Sequence, residues 1–157
     1  MIELIETAKI NAWANEQFRT HLKEKFDELK DKETPYGSFG ELVYHIPISI
    51  YFWFKRMGIF DFEMKQYAQL ESIQELLDNW EMIDQKYVEY LNSVKDDSIS
   101  LSYTTSKGKE FSIPLKNLVI QLNNHSYHHR GHIGYFARLN GIFLPSTDAL
   151  VYYRTFG

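Results

Sequence analysis

The chain has 157 residues, 44% apolar and 24% charged, which is the composition of a globular protein near the usual size of one domain. A net charge of -4 without a long basic run argues against nucleic-acid binding, and the most apolar stretch, Ile46 to Phe54, is well short of the ~20 residues that span a bilayer. Cysteine is absent, which excludes disulfides, thiolate metal ligands and a cysteine nucleophile together.

The first helix is read from Leu4, Ile5, Ala8, Ala12, Phe18, Leu22, Phe26 and Leu29, which recur at three- and four-residue steps. Its opening, MIELIETAKINAW, has early acids and no separate apolar block before a cleavage site, so no signal peptide is expected and the cytoplasm is the expected compartment. The polar run DKETPYGS, punctuated by Pro35 and Gly37, reads as a loop. Ser38 then caps a second helix, with Glu41 three residues on completing a capping box. That helix runs through Leu42, His45, Ile46, Ser49 and Trp53 to about Gly58, and Pro47 inside it should kink it.

A third helix carries Ile73, Leu76, Leu77, Trp80, Ile83, Tyr87, Leu91 and Val94. After it, Ile99, Leu101 and Tyr103 alternate with serines, a turn follows at Gly108, and Phe111 and Ile113 alternate again, which predicts a short hairpin. Pro114 opens a last long helix, about Leu115 to Asn140, stopped by Gly141. A terminal turn or helix spans Thr147 to Tyr153. Four helices of about 20 residues predict an all-α, four-helix bundle with a short β-hairpin before the last long helix, forming one domain over 1–157.

Five of the six histidines fall in the second and fourth helices. Histidines at i and i+4 present both imidazoles on one helical face, and two pairs have that spacing: His125/His129 and His128/His132. The stripe Leu115, Leu118, Leu122, Ile133, Phe136 takes in His125 and His129. His128 points off it and His132 sits at its margin, toward solvent, a neighbouring helix or another subunit. His45, beside Leu42, Ile46 and Ser49, lies on the inner side of the second helix and can meet the first pair in a bundle. The expected metal ligands are therefore His45, His125 and His129. Three imidazoles suit zinc, nickel, copper or iron(II) better than magnesium or calcium, and three protein ligands leave a position for water or substrate.

The segments NAWANEQF, SFGELVYHI, LSYTTSKGKEFSIPL, and NHSYHHRGH followed by ARLNGIFLPSTDAL occur in one order over most of the chain. In that order they resemble the DinB/YfiT-like family, which is unrelated to the similarly named DNA polymerase. The resemblance implies an up-down-down-up bundle and a divalent metal, zinc or nickel, held by one histidine of the second helix and an HxxxH pair of the last. Those positions match His45, His125 and His129. It also implies frequent homodimers, small-molecule substrates, and reactions with a low-molecular-weight thiol such as bacillithiol or, in other members, hydrolysis. This chain departs from the family pattern at Gln121, where histidine is common, at His132, where glutamine is common, and at Pro47.

We therefore expect a thiol-dependent S-transferase acting on small electrophiles, with hydrolysis of an amide or ester, or a non-enzymatic stress-response module, as the alternatives. The thiol must arrive as a cosubstrate. Arg130 and Arg138 either bind a carboxylate or are solvated or packing charges. Asn11 and Asn15 either orient a ligand or are core amides bonded to backbone. Glu41 is the nearest general base, although its cap explains it as well. Tyr152, Tyr153 and Phe156 would cover the site or form a dimer contact.

Overall fold

Helical periodicity at four places in the chain becomes four packed helices. The computed structural model describes residues 3–157, so the first two residues of the expected domain lie outside the described residues. The helices are α1 (Leu4–Leu22), a single turn α2 (Phe26–Leu29), α3 (Phe39–Arg56), α4 (Ile73–Ser93), α5 (Leu115–Leu139) and α6 (Ala149–Phe156). The first stripe is one helix longer in the sequence than in the structure. Lys23, Glu24 and Lys25 are good helix formers, so propensity does not end α1. Phe26 instead turns into the core, where its ring lies 6.2 Å from that of Phe39.

The bundle order follows from the contacts. α1 packs against α4 and α5, and α3 packs against the same two helices. Thr7 meets Asn123 and Asn11 meets Arg130, so α1 and α5 run parallel. Phe39 stacks on Phe136 while Ser49 reaches His125, so α3 and α5 run antiparallel. Arg19 meets Asp84, and Ala8 lies in the cluster that holds Leu91, so α1 and α4 are antiparallel. The arrangement is up-down-down-up. Its core holds Phe39, Phe54, Trp80 and Tyr87 essentially without solvent exposure. No helix among the described residues is long and apolar enough to cross a membrane.

Two connections shape the site. Between α2 and α3 lies a small hairpin, β1 (Glu33–Thr34) with β2 (Gly37–Ser38), which the sequence reads as plain loop. Its turn uses Gly37 at φ 94°, a left-handed conformation that glycine adopts without a Cβ clash. Ser38 then caps α3: its hydroxyl accepts from the Glu41 amide, and Glu41 accepts from the Ser38 amide. The cap stabilises the helix by about 1 kcal/mol. α3 continues unbroken across the buried Pro47.

The predicted second hairpin is present as β3 (Ser100–Thr104) and β4 (Glu110–Pro114), with Leu101 opposite Ile113 and Tyr103 opposite Phe111. Pro114 hands over directly to α5, and α5 ends before Gly141, whose φ is 79°. α6 folds back on α1, with Tyr152 edge-on to Trp13 at 5.6 Å.

Candidate metal centre

The seam between antiparallel α3 and α5 brings His45, His125 and His129 together. Each offers a ring nitrogen, and these three atoms lie within 4.8 Å of one another. Their ring centroids are 4.5 to 4.9 Å apart. The HxxxH spacing on α5 supplies two rings on one face, and α3 lowers the third onto them.

Burial is graded across the cluster. His129 is buried, His125 is half-buried and His45 is exposed. The sequence reading of three inward rings is thus too deep: the cluster sits at the outer edge of the α3–α5 seam, open on the His45 side.

Several observations test whether a divalent ion fits these residues. Nε2 of His125 and Nε2 of His45 are 3.1 Å apart. Ligand atoms at 2.0–2.1 Å around a tetrahedral ion are separated by about 3.3 Å. Nδ1 of His129 is buried with no hydrogen-bond partner, and a buried polar nitrogen of that kind calls for an explanation. All three rings are also kept neutral, the form that ligates. Burial pushes His45 below the usual histidine range. Burial, then the neighbouring His45 and His128, does the same to His125. For His129, burial and the four surrounding imidazoles bring the value down to about 4. The residues fit a borderline divalent cation.

One side of the cluster opens into a cleft of about 780 Å³ that His45 and His129 line. Along α3 its floor is His45, Ile48, Phe52 and Lys55. The segment between α3 and α4 forms the far wall and is tied down by hydroxyls: Tyr44 donates to the Lys65 carbonyl at 2.6 Å, and Tyr51 faces the Phe62 carbonyl and a Glu63 carboxylate oxygen. Both carboxylates lining the cleft are engaged. Glu63 pairs with Lys55 at 2.7 Å, and Glu41 holds the Ser38 amide and hydroxyl, which pull its pKa down. Glu41 is therefore a capping residue, ill suited as a general base.

Two residues at the site have no role there in the sequence reading. Tyr36, in the turn of the small hairpin, lines the cleft, stands edge-on to His129 at 5.6 Å and stacks on His132 at 4.7 Å. Ser49 places its hydroxyl 3.0 Å from Nε2 of His125. Ser49 lies one turn after His45, a spacing that could have flagged it. A loop tyrosine carries no such signal. Gln121, one turn before His125, is exposed in a smaller recess with Ser49 and Trp53.

The arginine and asparagines behave differently from their ligand-binding reading. Arg130 is buried, and its Nη1 donates to Asn11 Oδ1 at 2.8 Å and Asn15 Oδ1 at 2.6 Å. Asn15 Nδ2 donates in turn to Asp84 Oδ1 at 2.8 Å, and Arg19 pairs with the other Asp84 oxygen. This network ties α1 to α4 and α5 on the far side of α5 from the cleft. Arg138 is exposed and lies over the Phe143 ring. The C-terminal aromatics sit on α1 rather than over the histidines, since Tyr152 and Phe156 share a recess with Trp13 and Asp84.

Known proteins match this architecture. A DinB-like protein from Bacillus cereus ATCC 10987 has a TM-score of 0.66 at 21% identity, over 85% of this chain and 89% of that one. YfiT from Bacillus subtilis has a TM-score of 0.65 at 18% identity, over 87% of this chain and 86% of its own. YfiT is described as a probable metal-dependent hydrolase with an unusual four-helix bundle topology. At these identities the likeness is one of fold. No curated protein matches the sequence. The sequence profile of the DinB family matches residues 1–155, and the chain belongs to the DinB family.

Proposed function

We propose that His45, His125 and His129 hold one divalent metal, zinc or nickel, and that the cleft beside them binds a small-molecule electrophile for transfer of a low-molecular-weight thiol. The observation that carries this reading is the convergence of three neutral ring nitrogens at the mouth of a cleft of about 780 Å³. A cleft of that size suits a small ligand. When bound, a divalent metal supplies Lewis-acid chemistry, lowering the pKa of a thiol or water placed on it.

The chain's own residues set the rest. His129 is anchored by burial, His125 is held by Ser49 in the metal-free arrangement only, and His45 closes the set from the solvent side. Ile48, Phe52 and the tyrosine wall offer apolar and aromatic surface to the electrophile. With Glu41 and Glu63 committed elsewhere, neither carboxylate of the cleft is free to take the nucleophile's proton, which would leave to solvent. A thiol, already near its pKa, asks less of such a site than water does. Metal-dependent hydrolysis is the second reading, favoured by the description of YfiT.

Metal-loaded protein incubated with bacillithiol and a model electrophile tests this directly. We expect thiol-dependent product from the native chain and none above background from His125→Ala. Turnover without thiol would replace the transferase with a hydrolase. Equal rates for native protein and His125→Ala would end both.

A further inference from the structure

Four histidines crowd one stretch of α5, and the proposed centre uses only His125 and His129. His128 and His132 stand beside it at the same i, i+4 spacing. Their ring centroids are 4.3 Å apart, closer than any pair within the first cluster. A donor from another element completes the group: the Tyr36 ring stacks on His132, and its hydroxyl oxygen lies 3.3 Å from His132 Nε2. That distance again matches the separation of about 3.3 Å between ligand atoms of a tetrahedral ion.

The other nitrogen of His132 adds an independent observation. Its Nδ1 is shut away from solvent with no hydrogen-bond partner. Beyond the Tyr36 hydroxyl contact the ring is held by packing between His128 and Tyr36, and no bond fixes it through Nδ1. Nothing in the first cluster requires this arrangement, because His128 and His132 contribute no ligand atom to it.

We propose that His128, His132 and Tyr36 form a second site for a borderline divalent cation such as zinc, next to the first and built from separate side chains. Two imidazole nitrogens and a phenol oxygen are a donor set for zinc, copper or nickel rather than magnesium. Helical spacing pre-positions the imidazoles, and the small hairpin brings in the oxygen. The site does not depend on the reaction assigned to the cleft. With fewer nitrogen donors and an exposed His128, it binds zinc more weakly than the triad does.

Zinc titration of full-length, untagged protein, by calorimetry with the bound ion counted after dialysis, tests it in two backgrounds. In the otherwise native chain, His128→Ala/His132→Gln lowers the zinc count by one. In a His45→Ala/His125→Ala/His129→Ala chain whose helicity is intact, one zinc remains, and Tyr36→Phe weakens it severalfold. An unchanged count in the first background, or no zinc in the second, overturns the proposal. Two outcomes separate it from the triad reading. If native protein binds one zinc that only the triad changes remove, the triad stands and this site falls. If that zinc goes only with His128 and His132, this site stands and the triad falls. His132→Gln alone replaces a partly exposed ring by a polar side chain, which keeps the count readable should the double variant fold poorly.

Discussion

The Ser49 hydroxyl lies 3.0 Å from Nε2 of His125 and 2.7 Å from the His45 carbonyl oxygen. Its single proton goes to the carbonyl, so toward His125 it accepts, and Nε2 of His125 carries the ring proton. That same nitrogen faces His45 Nε2 at 3.1 Å. An ion taking Nε2 displaces the proton and ends both contacts. Ser49 therefore stabilises the metal-free arrangement, by about 1 kcal/mol for a neutral hydrogen bond. Ser49→Ala is expected to raise zinc affinity by about fivefold. Calorimetric titration at one pH measures it, and a fall in affinity would place the hydroxyl in support of the bound state.

The histidine cluster also sets a pH dependence. His45, His125 and His129 all have folded-state pKa values below the ordinary histidine value of 6.5, with His129 brought to about 4. Below pH 6.5 the unfolded chain takes up protons that the folded chain refuses, so unfolding gains free energy as pH falls. The histidines' contribution to the stability of metal-free protein is expected to be fully present above about pH 6.5 and to decline from there toward pH 4, while the raised pKa of buried Asp84 works in the opposite direction below about pH 7. Urea midpoints across that range test the sign. Compared with the native chain, His129→Gln should lose less stability on acidification, and an identical pH dependence in the two chains would contradict the assignment.

Periodicity made the histidine site legible because one stripe on α5 and one on α3 both point into their shared seam. The Ser38–Glu41 cap and the Ser100–Pro114 hairpin were legible for a similar reason: each is written in residues close together in the sequence. Tyr36 was not, because a loop residue has no period, and only the folded hairpin shows that it reaches His132 some 96 residues away. Arg130 was left open between a carboxylate ligand and a packing charge for another reason. A helix wedged between α1 and α3 buries two sectors, and the stripe through Leu118 and Leu122 describes only their average. Asn11 and Asn15 in the stripe of α1, and Asp84 between Ile83 and Tyr87, carried the missing signal. Buried polar groups need partners, and the partner had to come from another helix.

That network gives a stability prediction. Arg130 holds Asn11 and Asn15 and helps balance Asp84, a fully enclosed carboxyl whose pKa burial raises to about 7 against the pull of Arg19. Removing one cation leaves two amide oxygens without their donor and less compensation for the acid. Arg130→Ala is expected to cost about 3–5 kcal/mol, the range for breaking a buried ionic group by deleting one partner. Arg130→Lys should recover only part of this, because one ammonium cannot reproduce the planar fork. Chemical denaturation measures both. A loss under about 1 kcal/mol for the alanine variant would mean that water replaces the guanidinium.

Gly40 supplies a prediction whose sign two effects contest. It sits in the first turn of α3, where alanine is ordinarily better than glycine by roughly 0.8–1.0 kcal/mol. A Cβ there, however, would run into the hydroxyl and ring of Tyr67. Tyr67 cannot simply swing clear, since it is half-buried against Tyr44, with ring centroids 5.8 Å apart, and helps to wall the cleft. Overpacking of this kind costs about 1–3 kcal/mol, which outweighs the gain in propensity. Gly40→Ala is therefore expected to lower stability by about 1 kcal/mol net. Because the displaced ring belongs to the cleft wall and not to the histidine cluster, the variant should keep its zinc affinity while binding the electrophile more weakly. Adding Tyr67→Phe, which removes the atom nearest the new methyl, should restore part of the lost stability. If the double variant is no more stable than Gly40→Ala alone, contact with Tyr67 is not what requires glycine at this position.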